Sequence, residues 1–415
     1  MKTKYILYKF SMLLPSPLRR ALRSFFPQLA RFVVPGIEIL DARWLSERIK
    51  LEESFSHIEV VSHKNVYDFI FVSPLLPTDS GIAEIAAQMI ASFSSYGRVA
   101  VVCAYLEPDS KLENDVFTPN CMGALVKQNP NAQILYVIAN GKHYYRSIEL
   151  LFDFPGTVLL HDVNISGIPN SSSYGTSDEF GLSQLSNAIK ILVHSIHAKK
   201  LIEKTSTGKF YKVEVLPLGA PIRKISEATQ PIESNTILIS TIGYAEHSKD
   251  SVKVFNTFVD LATRNKDWEF AFVGRVYKDW LMNWQQKIKL LGLDDRIHFP
   301  GKVSDENLVQ WIDRSSLCIQ LRVQSNGESS GALMDIIGRF KPVIVSEIGS
   351  FVEIKNNAVY KVPVGTAQKT LVRLVEELIL EKQIHSNKSL FHKTKRYAQS
   401  RSFDNWFKDL VLRLG

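Results

Sequence analysis

A glycine-bearing turn at residues 327–331, Gly-Glu-Ser-Ser-Gly, has residue types and spacing that could do chemistry. It lies between an apolar run at 317–321 and a helical pattern. A turn of this kind leaves the N–H groups of a helix N-terminus free to meet an anion. Glu328 in the same turn would repel a bare phosphate, so it is better suited to accept hydrogen bonds from hydroxyl groups. A sugar joined to a diphosphate offers both groups, whereas the plain alternative is a helix start capped by a serine.

Two cations follow apolar runs in the same half of the chain. Lys249 begins a helical pattern, where it could pair with a phosphate as a point charge or simply be solvated. Arg322 ends the run LCIQLR and lies in the same region as Glu328. No DxD motif stands in a strand-end loop, so a divalent cation is not evidently required. The two cations and the helix N-termini would then hold the diphosphate charge.

Histidines and an aspartate follow two further strand-like runs. His143 comes after ILYVIAN, and His161-Asp162 ends the run TVLLHD. These residues could form a metal site, a general base or substrate contacts, or they could be ordinary surface residues. The chain lacks HxH and HExxH spacing, and a histidine beside a carboxylate more often orients or polarises a hydroxyl. Gly81, which opens a helix after a Pro- and Ser-rich loop, could approach a phosphate or be a plain helix start.

The elements that must position these residues are short apolar runs alternating with helical stretches. Because the runs show no polar alternation, they predict strands buried on both faces, hence parallel sheets covered by helices. Right-handed crossovers then give two doubly wound α/β domains, which should face each other across a cleft. Ligands bind such sheets at the carboxyl ends of the strands, where the charged turns lie. The predicted strands cover residues 69–74, 99–105, 134–140, 157–162, 191–195 and 213–219, and then 236–243, 269–275, 297–301, 317–322 and 342–349.

The 415 residues divide into five segments by composition. Residues 1–60 are a basic extension, and 61–222 form the first doubly wound domain. Residues 223–235 are polar and contain a proline, as expected of a linker. The second domain covers 236–395. A C-terminal helix over 396–415 is expected to pack back on the first domain.

Positive charge is concentrated at the N-terminus. The chain has a net charge of +8, and residues 1–50 hold ten Lys/Arg against three Asp/Glu. The remainder is close to neutral, which argues against a body suited to nucleic acid. The segment SPLRRALRSFF places arginines beside leucines and phenylalanines, as in a helix lying on an anionic membrane or one packed on the protein's own core. Three widely spaced cysteines without a CxxC pair fit a reducing compartment.

Neither GxGxxG nor GxxxxGK[ST] occurs, which argues against a nicotinamide or flavin site and against a P-loop NTPase. The chain instead resembles the family-4 retaining glycosyltransferases of the GT-B fold (glycosyl transferases group 1), over about residues 66–400. Five segments carry the resemblance in order: SGIAE, NGKHYYRSIELLFDFPGTVLLHD, IGYAEHSK, LGLDDRIHFPGKVSDENL and GESSGALMDIIGRFKPVIVSEIGSFVE. The last is most similar to enzymes that build bacterial polysaccharides from mannose-type donors.

The resemblance implies a role for each candidate residue. The family pattern has two glutamates separated by seven residues. Here six residues separate Glu328 from Asp335, which would take the ribose contact, while Glu328 would meet the sugar. Tyr244 stands where the family often has an arginine. The implied catalytic residues are His161, Asp162 and Glu328; the donor-binding residues are Gly81, Lys249, Arg322, Ser330, Gly331 and Asp335; and the acceptor-side residues are Glu84 and His143.

The resemblance also implies the reaction. A hexosyl group would move with retention from a nucleotide-diphosphate sugar, GDP-mannose-like or UDP-based, to a saccharide or lipid-linked acceptor in the synthesis of a cell-surface polysaccharide such as lipopolysaccharide. The departing phosphate would take the acceptor's proton, and domain closure would exclude water. No metal and no cofactor are expected, since the nucleotide sugar is a substrate.

Two alternatives remain on the same fold: a nucleotide-sugar epimerase, and a catalytically silent nucleotide-sugar-binding or scaffold subunit. In either case we expect a cytoplasmic protein with no nucleic-acid partner. The basic N-terminus would give it peripheral contact with an anionic membrane surface.

Overall fold

The computed structural model describes residues 66–75, 78, 81–105, 115–168, 180–222, 237–355, 358–380 and 388–414. The predicted extension over 1–60, with its basic helix, and the predicted linker over 223–235 lie outside these ranges. No helix among the described residues is long and apolar enough to cross a membrane. The described residues form two parallel sheets with helices on both faces, which confirms the predicted fold class of two Rossmann-like domains.

The first sheet has seven strands in the order β3-β2-β1-β4-β5-β6-β7. Its strands are β1 (Phe69–Ser73), β2 (Val99–Cys103), β3 (Asp115–Phe117), β4 (Gln133–Ile138), β5 (Thr157–Leu160), β6 (Lys190–Val193) and β7 (Val213–Val215). The helices between them are α1 (Gly81–Phe93), α2 (Met122–Gln128), α3 (Tyr145–Asp153) and α4 (Ile196–Lys204).

The second sheet has six strands in the order β10-β9-β8-β11-β12-β13. Its strands are β8 (Ile237–Ile242), β9 (Trp268–Val273), β10 (Ile297–Gly301), β11 (Ser315–Gln320), β12 (Val343–Ser346) and β13 (Tyr360–Val362). Its helices are α5 (Ser251–Arg264), α6 (Lys278–Leu290), α7 (Asp305–Arg314), α8 (Gly331–Gly338) and α9 (Gln368–Leu380), followed by α10 (Lys388–Ser400) and α11 (Phe403–Leu414).

The predicted strands form because continuous apolar runs can be buried on both faces of a parallel sheet. All five residues of β1 are buried, as are all five of β2. The sequence did not predict β3 and β13. Both are three-residue strands at a sheet edge with partly exposed residues, so they lack the apolar run that marks the central strands.

Both sheets change direction at one point in their strand order. The chain moves outward from β1 to β3 and then returns to the other side of β1 with β4; in the second sheet, β8 and β11 are the corresponding neighbours. The loops after two such neighbouring strands diverge and leave a crevice, where doubly wound sheets bind ligands. The residues Gly81, His143, Lys249 and Glu328 come after these strands, whereas His161 and Asp162 come after β5.

The C-terminal chain returns to the first domain. The N–H of Ala220 donates to the carbonyl of Arg401 at 2.6 Å, and the N–H of Phe403 donates back to Ala220 at 3.2 Å. Helix α11 then buries four residues in the core of the first domain beside α1 and β1. These are Trp406, Phe407, Leu410 and Leu414.

Candidate functional site

Lys249 lies in the turn after β8, and its ammonium group lies close to Gly243. Gly243 has φ of +100°, a conformation that glycine adopts without strain. A β-carbon placed on Gly243 would lie 3.6 Å from Lys249 Nζ and 3.6 Å from the β-carbon of Ala332, in the first turn of α8. The lysine and the N-terminus of α8 therefore flank one point at the carboxyl ends of β8 and β11. Two positive groups, one a charge and one a helix dipole, meet there.

The local hydrogen bonds of Lys249 hold it in this position. Nζ donates to the carbonyl of Tyr244 at 2.9 Å and lies 3.7 Å from Oε1 of Glu246. Burial lowers the pKa of Lys249, and the nearby charge of Arg322 lowers it further, while Glu246 opposes both. A desolvated ammonium of this kind gains most when an anion neutralises it.

Arg322 follows β11 and forms an ion pair with Glu328. Only 8% of the arginine is exposed, and its guanidinium lies 5.1 Å from the ring centroid of Phe351. Its backbone N–H donates to the hydroxyl of Ser346 at 2.9 Å. Burial lowers the pKa of Arg322, whereas the carboxylates of Glu246 and Asp162 raise it.

The turn 327–331 is shaped around Glu328. Its Oε2 accepts from the N–H of Asn326 at 2.6 Å, and its carbonyl accepts from the hydroxyl of Ser350 at 3.2 Å. The sequence assigned Glu328 to a sugar and Arg322 to the diphosphate. The structure pairs the two residues with each other, so a ligand that binds one of them also changes the partner of the other.

Helix α8 begins with a serine cap, as in the plain alternative for this turn. The hydroxyl of Ser330 accepts from the N–H of Leu333 at 3.2 Å. A β-carbon on Gly331 would meet nothing within 4 Å, so the space over this first turn is open. Asp335 lies one turn further along α8 and is partly exposed. The turn thus combines a capped helix with an accessible N-terminus.

The opposite wall of the cleft comes from the first domain. Asp162 follows β5, and its Oδ2 accepts from the N–H of Asn140, after β4, at 2.9 Å. Burial raises the pKa of Asp162, whereas this hydrogen bond and the charge of Arg322 lower it. Because Arg322 belongs to the second domain, the two walls interact electrostatically across the cleft.

His161 lies beside Asp162 and is hydrogen-bonded to a second histidine. Its Nδ1 is 3.0 Å from Nε2 of His194, which follows β6, and Nδ1 of His194 is 3.1 Å from the carbonyl of Leu216. Burial lowers the pKa of His161 well below its usual value and that of His194 to about 4. Both rings are therefore neutral near pH 7.

Other predicted residues lie around this wall. His143 stands in the 3-10 turn before α3, with its ring centroid 4.6 Å from that of Tyr105. Gly81 is the first residue of α1, and Glu84 lies in the first turn of this helix; the surroundings of both residues are outside the described part of the structure. Within the described ranges, no group of three or more His, Cys, Asp or Glu could hold a metal ion.

The two domains also touch directly beside the cleft. Glu353 of the second domain accepts hydrogen bonds from two backbone N–H groups at the start of α4, Ile196 at 2.9 Å and His197 at 2.7 Å. A β-carbon on Gly327 would lie 2.4 Å from Cγ2 of Val163 in the first domain. The turn 327–331 is therefore in close contact with the loop that follows His161 and Asp162.

The sequence reasoning missed three residues of this site. His194 was placed only in the predicted strand 191–195, while Glu246 and Glu353 had no role. One signal was available for His194, since each histidine directly follows a strand-like run. The register pairs Leu160 with Val193, so the next residue of each strand brings the two histidines together.

Residues 223–401 match the family described as Glycosyl transferases group 1. Together with the fold, this match confirms the predicted resemblance to group 1 glycosyltransferases of the GT-B fold. No curated protein sequence matches the chain.

Several solved structures share the fold over most of their length. Anabaena HepE in complex with UDP-glucose has a TM-score of 0.62 and 14% identity, covering 84% of this chain and 98% of that one. A glycosyltransferase from Rickettsia africae has a TM-score of 0.63 and 14% identity, with coverage of 84% and 98%. WaaG, a glycosyltransferase involved in lipopolysaccharide biosynthesis, has a TM-score of 0.58 and 13% identity, with coverage of 82% and 98%.

Proposed function

We propose that the protein is a retaining glycosyltransferase that moves a hexosyl group from a nucleotide-diphosphate sugar to a saccharide or lipid-linked acceptor. The observation that carries the proposal is the meeting of Lys249 Nζ with the first turn of α8 at Gly243. An ammonium and a helix N-terminus converge there, and the space beside Gly331 in the first turn of this helix is open. The family match over residues 223–401 includes every residue of this arrangement.

In the proposed reaction, the second domain stabilises the leaving diphosphate. Lys249, Arg322 and the N–H groups at Ser330 and Gly331 would face the charge that grows as the bond between the sugar and the phosphate breaks. Glu328 and Asp335 would bind hydroxyls of the sugar and of the ribose. Departing phosphate oxygens would take the acceptor's proton.

The first domain would hold the sugar and the acceptor. His161 and Asp162 offer hydrogen-bond acceptors to hydroxyl groups, and His143 and Glu84 would line the acceptor side. Because the charges of Arg322 and Asp162 act on each other across the cleft, a bound sugar diphosphate would lie between oppositely charged groups.

The donor is proposed to be GDP-mannose or a UDP-hexose. The resemblance of residues 327–353 noted in the sequence favours a mannose-type donor, whereas the fold is shared with HepE, which was solved with UDP-glucose. We propose a role in cell-surface polysaccharide synthesis, with the protein in the cytoplasm and its basic N-terminus on the inner face of the membrane.

A donor screen tests the function. The protein is heated with UDP-, GDP- and dTDP-sugars, and the correct donor raises the melting temperature because it binds only the folded state; at a hundredfold excess over Kd this stabilises by about 2.7 kcal/mol. The stabilising donor is then incubated with saccharide acceptors, and product is followed by nucleotide release and by the anomeric proton signal.

Transfer with the donor's anomeric configuration is the expected result. Nucleotide release and sugar isomerisation without any acceptor would instead identify an epimerase. Donor binding without turnover on every acceptor offered would identify a silent binding subunit, and inversion at the anomeric carbon would contradict the retaining mechanism.

A further inference from the structure

The hydrogen bond between His161 and His194 fixes where each ring carries its proton. A carbonyl oxygen can only accept, so the contact of 3.1 Å with Leu216 requires a proton on Nδ1 of His194. A neutral imidazole carries one proton, which leaves Nε2 of His194 as an acceptor. The partner atom at 3.0 Å, Nδ1 of His161, must then be the donor.

This chain of two hydrogen bonds leaves Nε2 of His161 without a proton. That atom is buried and has no hydrogen-bond partner among the residues that the structure describes. A buried acceptor without a partner costs about 1–3 kcal/mol, so such an atom is expected to meet a donor in the working complex.

The chemistry of the substrate limits what this donor can be. Diphosphate oxygens are acceptors at neutral pH and would be repelled by a bare nitrogen lone pair. Sugar hydroxyls donate readily. If the proton of His161 moved to Nε2, the same ring would instead favour an oxygen that cannot donate.

We propose that His194 is a positioning residue that keeps the proton of His161 on Nδ1, so that Nε2 of His161 accepts a hydrogen bond from a hydroxyl of the sugar substrate. The proposal deepens the transferase function and rests on it. Helix α11 contributes to the arrangement, because the Trp406 ring packs near His194 with centroids 6.2 Å apart. The C-terminal helix thus helps to fix the ring that orients His161.

Two substitutions of His194 separate its two hydrogen bonds. In His194→Gln the amide oxygen can reach the position of Nε2 and still accept from His161. In His194→Asn the shorter amide can still meet Leu216 but not His161. We expect His194→Gln to keep kcat within about threefold of wild type and His194→Asn to lower kcat about tenfold or more, with little change in donor KM. The exposed His392 of α10 provides the matched control, His392→Gln.

A second measurement reads the proton directly. With ¹⁵N-labelled histidine, long-range proton–nitrogen spectra distinguish a protonated from a bare ring nitrogen, and His161→Gln identifies the signals of His161. Wild type and His194→Gln should show a bare Nε2 in His161, and His194→Asn should show protonation at Nε2.

The two measurements fail in different ways. A proton on Nε2 of His161 in the wild type overturns the proposal, as does equal kcat in His194→Asn and wild type. If no donor and acceptor pair gives transfer, the proposed function fails. The spectra still decide the position of the proton, and a bare Nε2 that does not change in His194→Asn then rejects the role of His194.

Discussion

The wall of the cleft from the first domain, around His161, and the wall from the second domain, around Lys249, accommodate buried polar groups in opposite ways. On the second domain, Lys249 and Arg322 remain charged and are balanced by Glu246 and Glu328. On the first domain, the two histidines are neutral, and burial has lowered the pKa of both. A wall of balanced charges suits a charged leaving group, whereas a neutral histidine pair with a fixed proton suits hydroxyl recognition. The comparison predicts that the two walls respond differently to substitution and to pH.

The largest effect is expected at Arg322, which connects both walls. Arg322→Leu removes the partner of Glu328 and the cation that acts on Asp162. Transfer should fall about 100- to 1000-fold, as for loss of a preorganised charge-stabilising group. The free energy of unfolding should fall by about 3–5 kcal/mol, because a nearly buried pair is broken.

Two variants control this experiment. Arg322→Lys keeps the positive charge without the planar guanidinium and should lose less activity than Arg322→Leu. The difference between the two variants distinguishes the loss of the charge from an effect on folding. Arg373→Leu alters an arginine on the exposed surface of α9 and should change neither property. If Arg322→Leu transfers sugar at a rate within a few-fold of wild type, Arg322 does not couple the two walls.

Acid should lower the stability of the folded state through the histidines of the first-domain wall. The unfolded chain binds a proton at His194 near pH 6.5, whereas the folded chain does so near pH 4. Between these values only the unfolded state gains the proton, so stability is complete above pH 6.5 and falls by roughly 3 kcal/mol as the pH drops to 4. His161, whose pKa is also lowered, acts in the same direction.

Urea unfolding of wild type and His194→Gln at pH 7 and pH 4.5 measures this term. The loss of stability between the two pH values should be clearly smaller in the variant. Equal losses in both proteins would show that His194 does not resist protonation in the folded state.

The second-domain wall should instead bind the donor less tightly as the pH rises. Lys249→Ala should lower donor affinity about tenfold to a hundredfold at pH 7, because a hydrogen bond to a charged group is lost. Since burial lowers the pKa of Lys249, wild-type donor affinity should begin to fall below the ordinary lysine pKa of 10.5. Lys249→Arg should keep its affinity to higher pH.

Titration calorimetry of the stabilising donor from pH 7 to pH 10 tests this prediction. Lys369→Ala, on the exposed side of α9, is the control. If Lys249→Ala binds the donor as tightly as wild type does, Lys249 does not bind the diphosphate.

The smallest effect concerns the contact between the walls. Glu353→Gln keeps an oxygen near Ile196 and His197 but removes the negative charge from the N-terminus of α4, worth about 1 kcal/mol. Donor KM should rise two- to fivefold because the closed arrangement is less favoured, and the radius of gyration by X-ray scattering should increase slightly. Glu377→Gln, on the surface of α9, should do neither.

Much of the fold could be predicted because burial on both faces leaves a local signature. The runs at 69–74 and 99–105 contain the strands β1 and β2, and the alternation of strands and helices implies the doubly wound order. The edge strands β3 and β13 could not be predicted in the same way, since half-exposed three-residue strands carry no such run.

The residues predicted for the site lie at strand ends in both sheets. The structure brings Lys249, Arg322 and the turn 327–331 to neighbouring strand ends, and it brings His161 and Asp162 to the facing wall. It does not follow from the sequence that Arg322 pairs with Glu328, because each is an equally reasonable partner for a substrate group.

The sequence by itself determined which residues would be buried, which would end strands and which could carry charge into the cleft, since these properties depend on residue types over a few positions. Only the tertiary structure decided the partners. His161 meets His194 across 33 residues because β5 and β6 lie side by side in one register. Glu353 meets His197 across 156 residues because the second domain packs against α4. Such pairs depend on how distant strands and whole domains are placed, and no local pattern records that placement.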